Sequence, residues 1–192
     1  MDSITFTAVA ETIKKRRTIK PATMNGNKIP NGHVAALLEL ADWAPTHALT
    51  EPWRFIVYEN PADFCLQHAE MYKANTPAEN FNEATYTGFQ NTGNKASHVV
   101  ITYMTRSELT KIPVWEEIVA VGASVQNMLL GAAALNIGVF WSTGGMALKP
   151  VMKEFLNLGE LDQVIGVLYL GYTDVQPEGK RKVPLEEKIT WK

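Results

Sequence analysis

Apolar residues recur along this chain in two rhythms, and the elements change where the rhythm changes. Phe6, Val9, Ala10 and Ile13 fall at i, i+3, i+4 and i+7, which predicts an amphipathic helix at the start. That helix runs out in the basic stretch Lys14-Lys15-Arg16-Arg17, followed by Thr18. A loop rich in Asn and Gly spans Pro21 to Pro30. Asn31 is placed to cap a second helix, in which Val34, Leu37, Leu38 and Ala41 repeat the spacing. The helical rhythm stops at Pro45. A short polar loop holding Thr46 and His47 follows, then Pro52, then an apolar strand from Trp53 to Tyr58. A loop pinned between rigid elements is a good place to hold a ligand. Asn60-Pro61 predicts a cap and first-turn proline for a third helix through Tyr72.

Residues 75–95 are polar and contain five asparagines, which predicts an irregular excursion with room for a short helix. An insertion of this length usually serves as a lid or binding loop, or is mobile. Val99 to Met104 is a nearly continuous apolar run, as expected of a central strand covered on both faces. A long helix is predicted from Pro113 to Asn136, a short strand over Val139 to Trp141, and a helix from Pro150 through Leu156. Val164 to Tyr172 reads as the last strand. The polar tail from Asp174 to Lys192, with Pro177 and Pro184, should run extended over a surface. No repeat or linker divides the chain. It reads as one domain over residues 1–192, α+β or α/β, with one sheet between helices.

Size and charge narrow the functions. A chain of 192 residues can bury a sizeable core, and a formal charge of −2 argues against nucleic acid as the main partner. Cys65 is the only cysteine, so neither an intrachain disulfide nor a cysteine-cluster metal site can form. The N-terminus lacks the basic start and apolar run of a signal peptide, so a cytoplasmic location is expected. Ile118 to Ile137 is the stretch nearest to a membrane span. It carries Gly122, Ser124, Gln126, Asn127, Gly131 and Asn136, which favours a helix buried in protein over one facing lipid.

Candidate chemistry sits in four places. Arg16, Arg17, Thr18 and Lys20 offer donors suited to a phosphate, although cations after a helix also simply offset its dipole. Lys180-Arg181-Lys182 is a solvated charge run unless the fold brings it to the first cluster, where the two would clamp one phosphate. His47 is a plain loop histidine or a ligand contact; the four histidines make no metal-binding spacing. Trp141-Ser142-Thr143-Gly144-Gly145 ends a strand with two hydroxyls and flexible backbone that can approach a flat ring, or is a simple turn. Phosphate-loop, dinucleotide and serine-nucleophile motifs are absent. The small residues Gly122, Ala123, Gly131, Ala132, Ala133 and Ala134 let the long helix pack closely, either centrally or across a homodimer interface, where Gln126 and Asn127 would pair.

Taken in order, these pieces resemble the FMN-dependent nitroreductase family, in its small single-domain branch. The matching stretches are Arg16-Arg17-Thr18-Ile19-Lys20, Ala44-Pro45-Thr46-His47 with Glu51-Pro52-Trp53-Arg54-Phe55, and Ala96-Ser97-His98-Val99-Val100. Pro113-Val-Trp-Glu116, Leu168-Tyr-Leu-Gly171 and Arg181-Lys-Val-Pro184-Leu-Glu-Glu187 follow. The resemblance implies an α+β fold with a central, mostly antiparallel sheet flanked by helices. It implies a homodimer with a long buried interface helix and FMN at the subunit interface. It places Arg16, Arg17, Thr18, Lys20 and Arg181 at the phosphate, ribityl chain or ring edge. Thr46 and His47 would come from the other subunit, Leu49 would sit near the ring, and Trp141, Ser142 and Thr143 would line the ring's pyrimidine or N5 side. It implies an NAD(P)H-dependent oxidoreductase that passes hydride through flavin N5 to nitroaromatic or quinone-type acceptors in ping-pong order. No catalytic side chain and no metal are implied. Enone reduction, dehalogenation, flavin breakdown or a non-catalytic flavin-binding module are alternatives on the same scaffold. Two positions depart from the pattern. Glu51 stands where Gln is usual, acceptable near a flavin only if paired, with Arg54 the candidate. Trp43 stands where a basic residue is common.

Overall fold

A computed structural model describes residues 3–192. Six helices and four strands follow the chain. They are α1 (Ile4–Lys15), α2 (Asn31–Asp42), β1 (Trp53–Tyr58), α3 (Pro61–Asn75), α4 (Glu83–Thr92), β2 (His98–Met104), α5 (Val114–Ala134), β3 (Gly138–Ser142), α6 (Pro150–Phe155) and β4 (Gln163–Gly171). The strands form one sheet in the order β1-β2-β4-β3, with every neighbouring pair antiparallel.

The apolar run of β2 has two destinations, because successive side chains point to opposite faces. Val99 and Ile101 enter a core with Phe64 and Cys65 of α3 and Met152 of α6. Val100 enters the other core, with Leu37 of α2 and Val125 and Met128 of α5. The result is a sheet with helices on both faces, the α+β architecture expected.

A chain of hydrogen bonds fixes where α2 begins. The Ile29 N–H donates to Ser97 Oγ at 2.7 Å, Ser97 Oγ–H donates to His98 Nδ1 at 2.8 Å, and His98 Nε2–H donates to Asn31 Oδ1 at 3.0 Å. Asn31 is therefore not the cap. It is the first helical residue after Pro30, and its side chain serves His98 instead of a helical N–H.

The excursion at residues 75–95 is structured. α3 continues to Asn75, whose side chain bonds the Met71 carbonyl at 2.9 Å, and a 3₁₀ turn (Ala78–Asn80) leads into α4. Ring contacts press this segment onto α3, His68 against Phe89 at 4.4 Å and Tyr72 against Phe81 at 5.6 Å.

α5 is the one helix among the described residues long and apolar enough to cross a membrane, and it lies against the sheet. Its covered side carries Val121, Ser124, Val125, Met128 and Ala132. Gly131 lets α2 cross closely: a Cβ there would come within 2.5 Å of Leu40 Cδ1 and push that side chain aside. The opposite side is bare, with Trp115 and Val119 largely exposed and open space beside Gly122. The Asn127 amide does not point away to a second helix; it donates to the Leu40 carbonyl at 3.2 Å. At the start of α5, the Glu117 carboxylate is buried against Arg106 and accepts the Ser107 N–H at 3.2 Å.

Two more apolar surfaces have no cover. α1 buries no residue, and Ile4, Phe6, Val9 and Ile13 face solvent. The tail from Asp174 onward is exposed throughout, including Leu185 and Trp191. Near its start it touches the body of the chain, through Thr173 Oγ1 to the Thr23 carbonyl at 2.7 Å and through Gly179 against Arg17.

Candidate functional site

The segment after α1 is an extra rung on the free edge of β3. Thr18 bridges Val139 in parallel fashion, and the Ile19 N–H donates to the Val139 carbonyl at 3.0 Å. Gly138 makes this approach possible, because a Cβ there would lie 2.9 Å from the Ile19 side chain. Arg16 and Arg17 are thereby held at the mouth of a cleft of about 540 Å³, between the end of α1, the end of α5 and the first residues of the tail. Its walls include Thr12, Ala133, Gly138 and Gln176, and the ion pair of Lys15 with Glu11 at 3.4 Å.

The arginines have capacity to spare. Arg17 Nη1 donates to the Arg16 carbonyl at 2.6 Å, but its Nε is buried with no partner. Gly179 lies so close that a Cβ there would collide with the guanidinium, so the tail traps Arg17 in place. Among the described residues, no carboxylate lies within 4.0 Å of Arg16, Arg17, Lys20 or Arg181. Unpaired guanidinium donors around an open cleft make an anion site, and phosphate suits their geometry. Arg181 does not line this cleft. It stands two residues beyond Gly179, in a groove of about 410 Å³ with Lys182 and Lys188. Lys20 is exposed beside the cleft and does not line it.

The proline-framed loop is strained. Ala48, Leu49 and Glu51 have φ of 51°, 55° and 41°, a region that side chains other than glycine occupy at a cost. Thr46 Oγ1 and Thr50 Oγ1 are hydrogen-bonded at 2.7 Å across the bend, and Leu49 stands almost fully exposed. Arg54 clamps the exit, donating from Nη1 to the carbonyls of Glu51 at 2.8 Å and Trp53 at 2.7 Å. The expected pairing of Arg54 with the Glu51 carboxylate is therefore corrected: the arginine holds backbone, and the carboxylate is free of any cation within 4.0 Å among the described residues. His47 Nδ1 meets Glu116 Oε2 at 2.7 Å, which ties the loop to the first turn of α5. Trp43, beside the loop, is exposed.

The end of β3 is built by small residues and one histidine. The Trp141 Nε1–H donates to the Ile165 carbonyl at 3.2 Å, and the indole lies over Gly166, where a Cβ would collide with it. Ser142 is half-buried and Thr143 exposed. Gly144-Gly145 follows, and the Met146 N–H donates to His68 Nε2 at 3.1 Å. His68 is fully buried, and burial pushes its pKa down to about 4, so the ring is neutral. Cys65, its neighbour on α3, is likewise buried; its thiol pKa is pushed up to about 12, which leaves no nucleophile there. No cluster of metal-ligating side chains occurs among the described residues.

Two contacts here had no sequence signal. His47 with Glu116 and His68 with Met146 join residues far apart in the chain, outside any local spacing rule.

Distance then separates the parts. His47 sits at Glu116, in the first turn of α5, whereas the cleft meets α5 at Leu129 and Ala133. At 1.5 Å per residue these points are about 20–26 Å apart along the helix. Within one chain, Arg16 and Arg17 gather with Thr18 at the edge of β3, and Trp141 to Thr143 close the same strand. Thr46, His47 and Leu49 stand at the far end of α5.

A sequence profile described as the nitroreductase family matches residues 13–172. YfhC of Bacillus subtilis, whose name marks it provisionally as an NAD(P)H nitroreductase, is 25% identical over 181 residues, covering 93% of this chain and 91% of YfhC. A nitroreductase-like family protein from Bacillus cereus superposes with a TM-score of 0.76 at 25% identity, over 100% of this chain and 98% of that one. A Desulfovibrio desulfuricans protein solved in complex with FMN has a TM-score of 0.74 at 20% identity, with the same coverage of both chains.

Proposed function

The chain belongs to the nitroreductase family, and from that premise we propose that it is a cytoplasmic, homodimeric, FMN-dependent NAD(P)H oxidoreductase. The observation that carries the cofactor is the cleft at Arg16 and Arg17, whose buried Arg17 Nε lacks a partner and whose two guanidinium groups have no carboxylate within 4.0 Å; the one carboxylate in the wall, Glu11, is paired with Lys15 at 3.4 Å. The donor set fits a phosphate monoester such as that of FMN. Thr18 would add a hydroxyl, Lys20 a charge beside the cleft, and Arg181 a further cation as the tail folds past Gly179. Trp141, Ser142 and Thr143, on the same strand, would border the ring.

The second half of the site comes from a second copy of the chain. Thr46, His47 and Leu49 lie about 20–26 Å along α5 from the cleft, too far to serve the same flavin from within one chain. A two-fold partner on the bare side of α5 would bring its loop to the cleft, and would also cover Val119, Trp115 and the apolar face of α1.

When bound, FMN would supply hydride transfer at N5, from NAD(P)H and on to a nitroaromatic or quinone-type acceptor in ping-pong order. The chain's own residues bind and orient. The arginines would hold the phosphate, residues at the end of β3 would border the ring, and cationic donors would favour the electron-rich reduced state. The partner's loop shields the ring from water. No side chain need act as nucleophile or base, which agrees with the inert Cys65.

The test is the absorbance spectrum of the purified protein before and after NADH. A yellow protein that bleaches with NADH, and then oxidises NADH steadily when menadione or a nitroaromatic is added, is expected. A colourless protein that takes up no added FMN overturns the proposal. Bleaching without turnover would instead make it a flavin-binding module.

A further inference from the structure

His68 is buried in a place that suits an aliphatic side chain better. Its ring is 1% exposed and lies between Phe64 at 5.4 Å and Phe89 at 4.4 Å. Since Nε2 accepts the Met146 N–H at 3.1 Å, the ring proton is on Nδ1, and Nδ1 is buried with no partner. A buried N–H without an acceptor costs free energy, so a histidine kept here must supply something leucine would not. What it alone supplies is an acceptor for one backbone amide of the turn that follows β3.

The turn is tightly fitted to that ring. Gly145 has φ of +60°, and a Cβ on it would lie 3.0 Å from His68 Nε2 and 2.6 Å from Phe89 Cζ. α3 contributes the acceptor and α4 the wall, so the segment at 75–95 acts as a backstop, and the backbone between Thr143 and Met146 is held from behind.

We propose that His68 is a positioning residue for the flavin ring: by accepting the Met146 N–H, it sets the backbone of residues 143–146 against the ring edge. The proposal rests on the flavin reading above. A neutral ring is needed, because a protonated His68 would have no lone pair for Met146. Phe89 completes the device by blocking retreat of Gly145.

The experiment compares wild type, His68→Leu and His68→Gln. Leucine removes the acceptor and keeps an apolar side chain; glutamine restores an oxygen near the position of Nε2. Three readouts are taken: FMN dissociation constant by fluorescence quenching, the absorption envelope of bound flavin, and amide exchange at Met146. In His68→Leu, FMN affinity should fall about tenfold, the ratio that corresponds to about 1.4 kcal/mol, the flavin envelope should shift, and Met146 exchange should accelerate. His68→Gln should recover most of the affinity and the wild-type envelope.

Faster Met146 exchange with unchanged FMN affinity and spectrum overturns the proposal, because the contact is then only structural. Failure of His68→Gln to recover either flavin property overturns it too. If His68→Leu does not fold, Gly145→Ala replaces it: that variant keeps His68 but displaces the turn, and wild-type FMN affinity in it refutes the positional demand. Absence of FMN binding by the wild type refutes the flavin reading, and with it His68 as a flavin-positioning residue. Met146 exchange in His68→Leu would then report only whether the hydrogen bond itself exists.

Discussion

Replacing Arg106 with Ala strands a buried charge. Glu117 is 1% exposed and Arg106 12% exposed, so neither end of this pair can fall back on water. Arg106 Nη1 holds the carboxylate, and Nη2 donates to the carbonyls of Ile112 at 2.6 Å and Thr110 at 3.3 Å. Burial alone raises the Glu117 pKa, but hydrogen bonds from Ser107 and Arg106 outweigh it and hold the carboxyl below its usual range. Arg106→Ala removes the only cation in that compensation and leaves what Ser107 supplies. Breaking one partner of a buried pair costs about 3–5 kcal/mol. For a chain of this size that corresponds to a fall in Tm of about 6–20 °C. Urea unfolding followed by circular dichroism at pH 7, at one fixed protein concentration, measures it. Arg106→Met with Glu117→Met should recover most of the loss, because two apolar side chains remove the stranded charge as well as its partner. A loss below about 1 kcal/mol in Arg106→Ala, or a double variant as unstable as the single, would refute the argument.

Four further outcomes are expected. His68 has a folded pKa near 4 against an ordinary value of 6.5, so the unfolded chain binds the extra proton first; stability is full above about pH 6.5 and falls by about 3 kcal/mol by pH 4. Denaturant midpoints across that window should show this slope, and His68→Leu should remove the part due to His68, leaving the slope of His98, whose pKa burial also lowers. Arg16→Ala combined with Arg181→Ala should weaken FMN retention at least about tenfold, since charge-assisted hydrogen bonds contribute about 1.5–3 kcal/mol each; unchanged retention means the two cations do not share a phosphate. If the partner's loop reaches the ring as proposed, Glu51→Gln should raise the flavin midpoint potential, because a free carboxylate there would oppose the anionic reduced form; spectroelectrochemistry decides. Val119→Arg should shift the protein to monomer in sedimentation velocity and lower FMN content in parallel. A dimer that survives it places the interface elsewhere.

Much of the fold was legible because its signals are local. The i, i+3, i+4, i+7 spacing of Phe6, Val9, Ala10 and Ile13 places α1, and the apolar run at Val99 to Met104 places the central strand, within a residue or two. Proline boundaries at 61, 113 and 150 mark where α3, α5 and α6 begin. Asn31 was misread because a capping residue and a side chain reaching across the fold look identical in sequence. Only the presence of His98 decides between them. The same limit applies to Arg54, which chose backbone carbonyls over the neighbouring carboxylate. At the site, Arg16 and Arg17 announced a cleft through charge, but the unpaired Nε depends on Gly179, more than a hundred residues away. Glu116 and His68 carry no spacing rule at all, and only folding makes them neighbours of His47 and Met146.

The length of α5 has a genetic consequence. One chain crippled at Arg16 and Arg17 keeps a sound His47 loop, and one crippled at His47 keeps a sound cleft. Either alone would assemble into a dimer with two broken sites. Mixed and reassociated, they would form heterodimers in which one site receives both faults and the other receives none. Two dead proteins would then regain about half the activity of a native dimer in each mixed particle. A site confined to one chain would allow no such rescue.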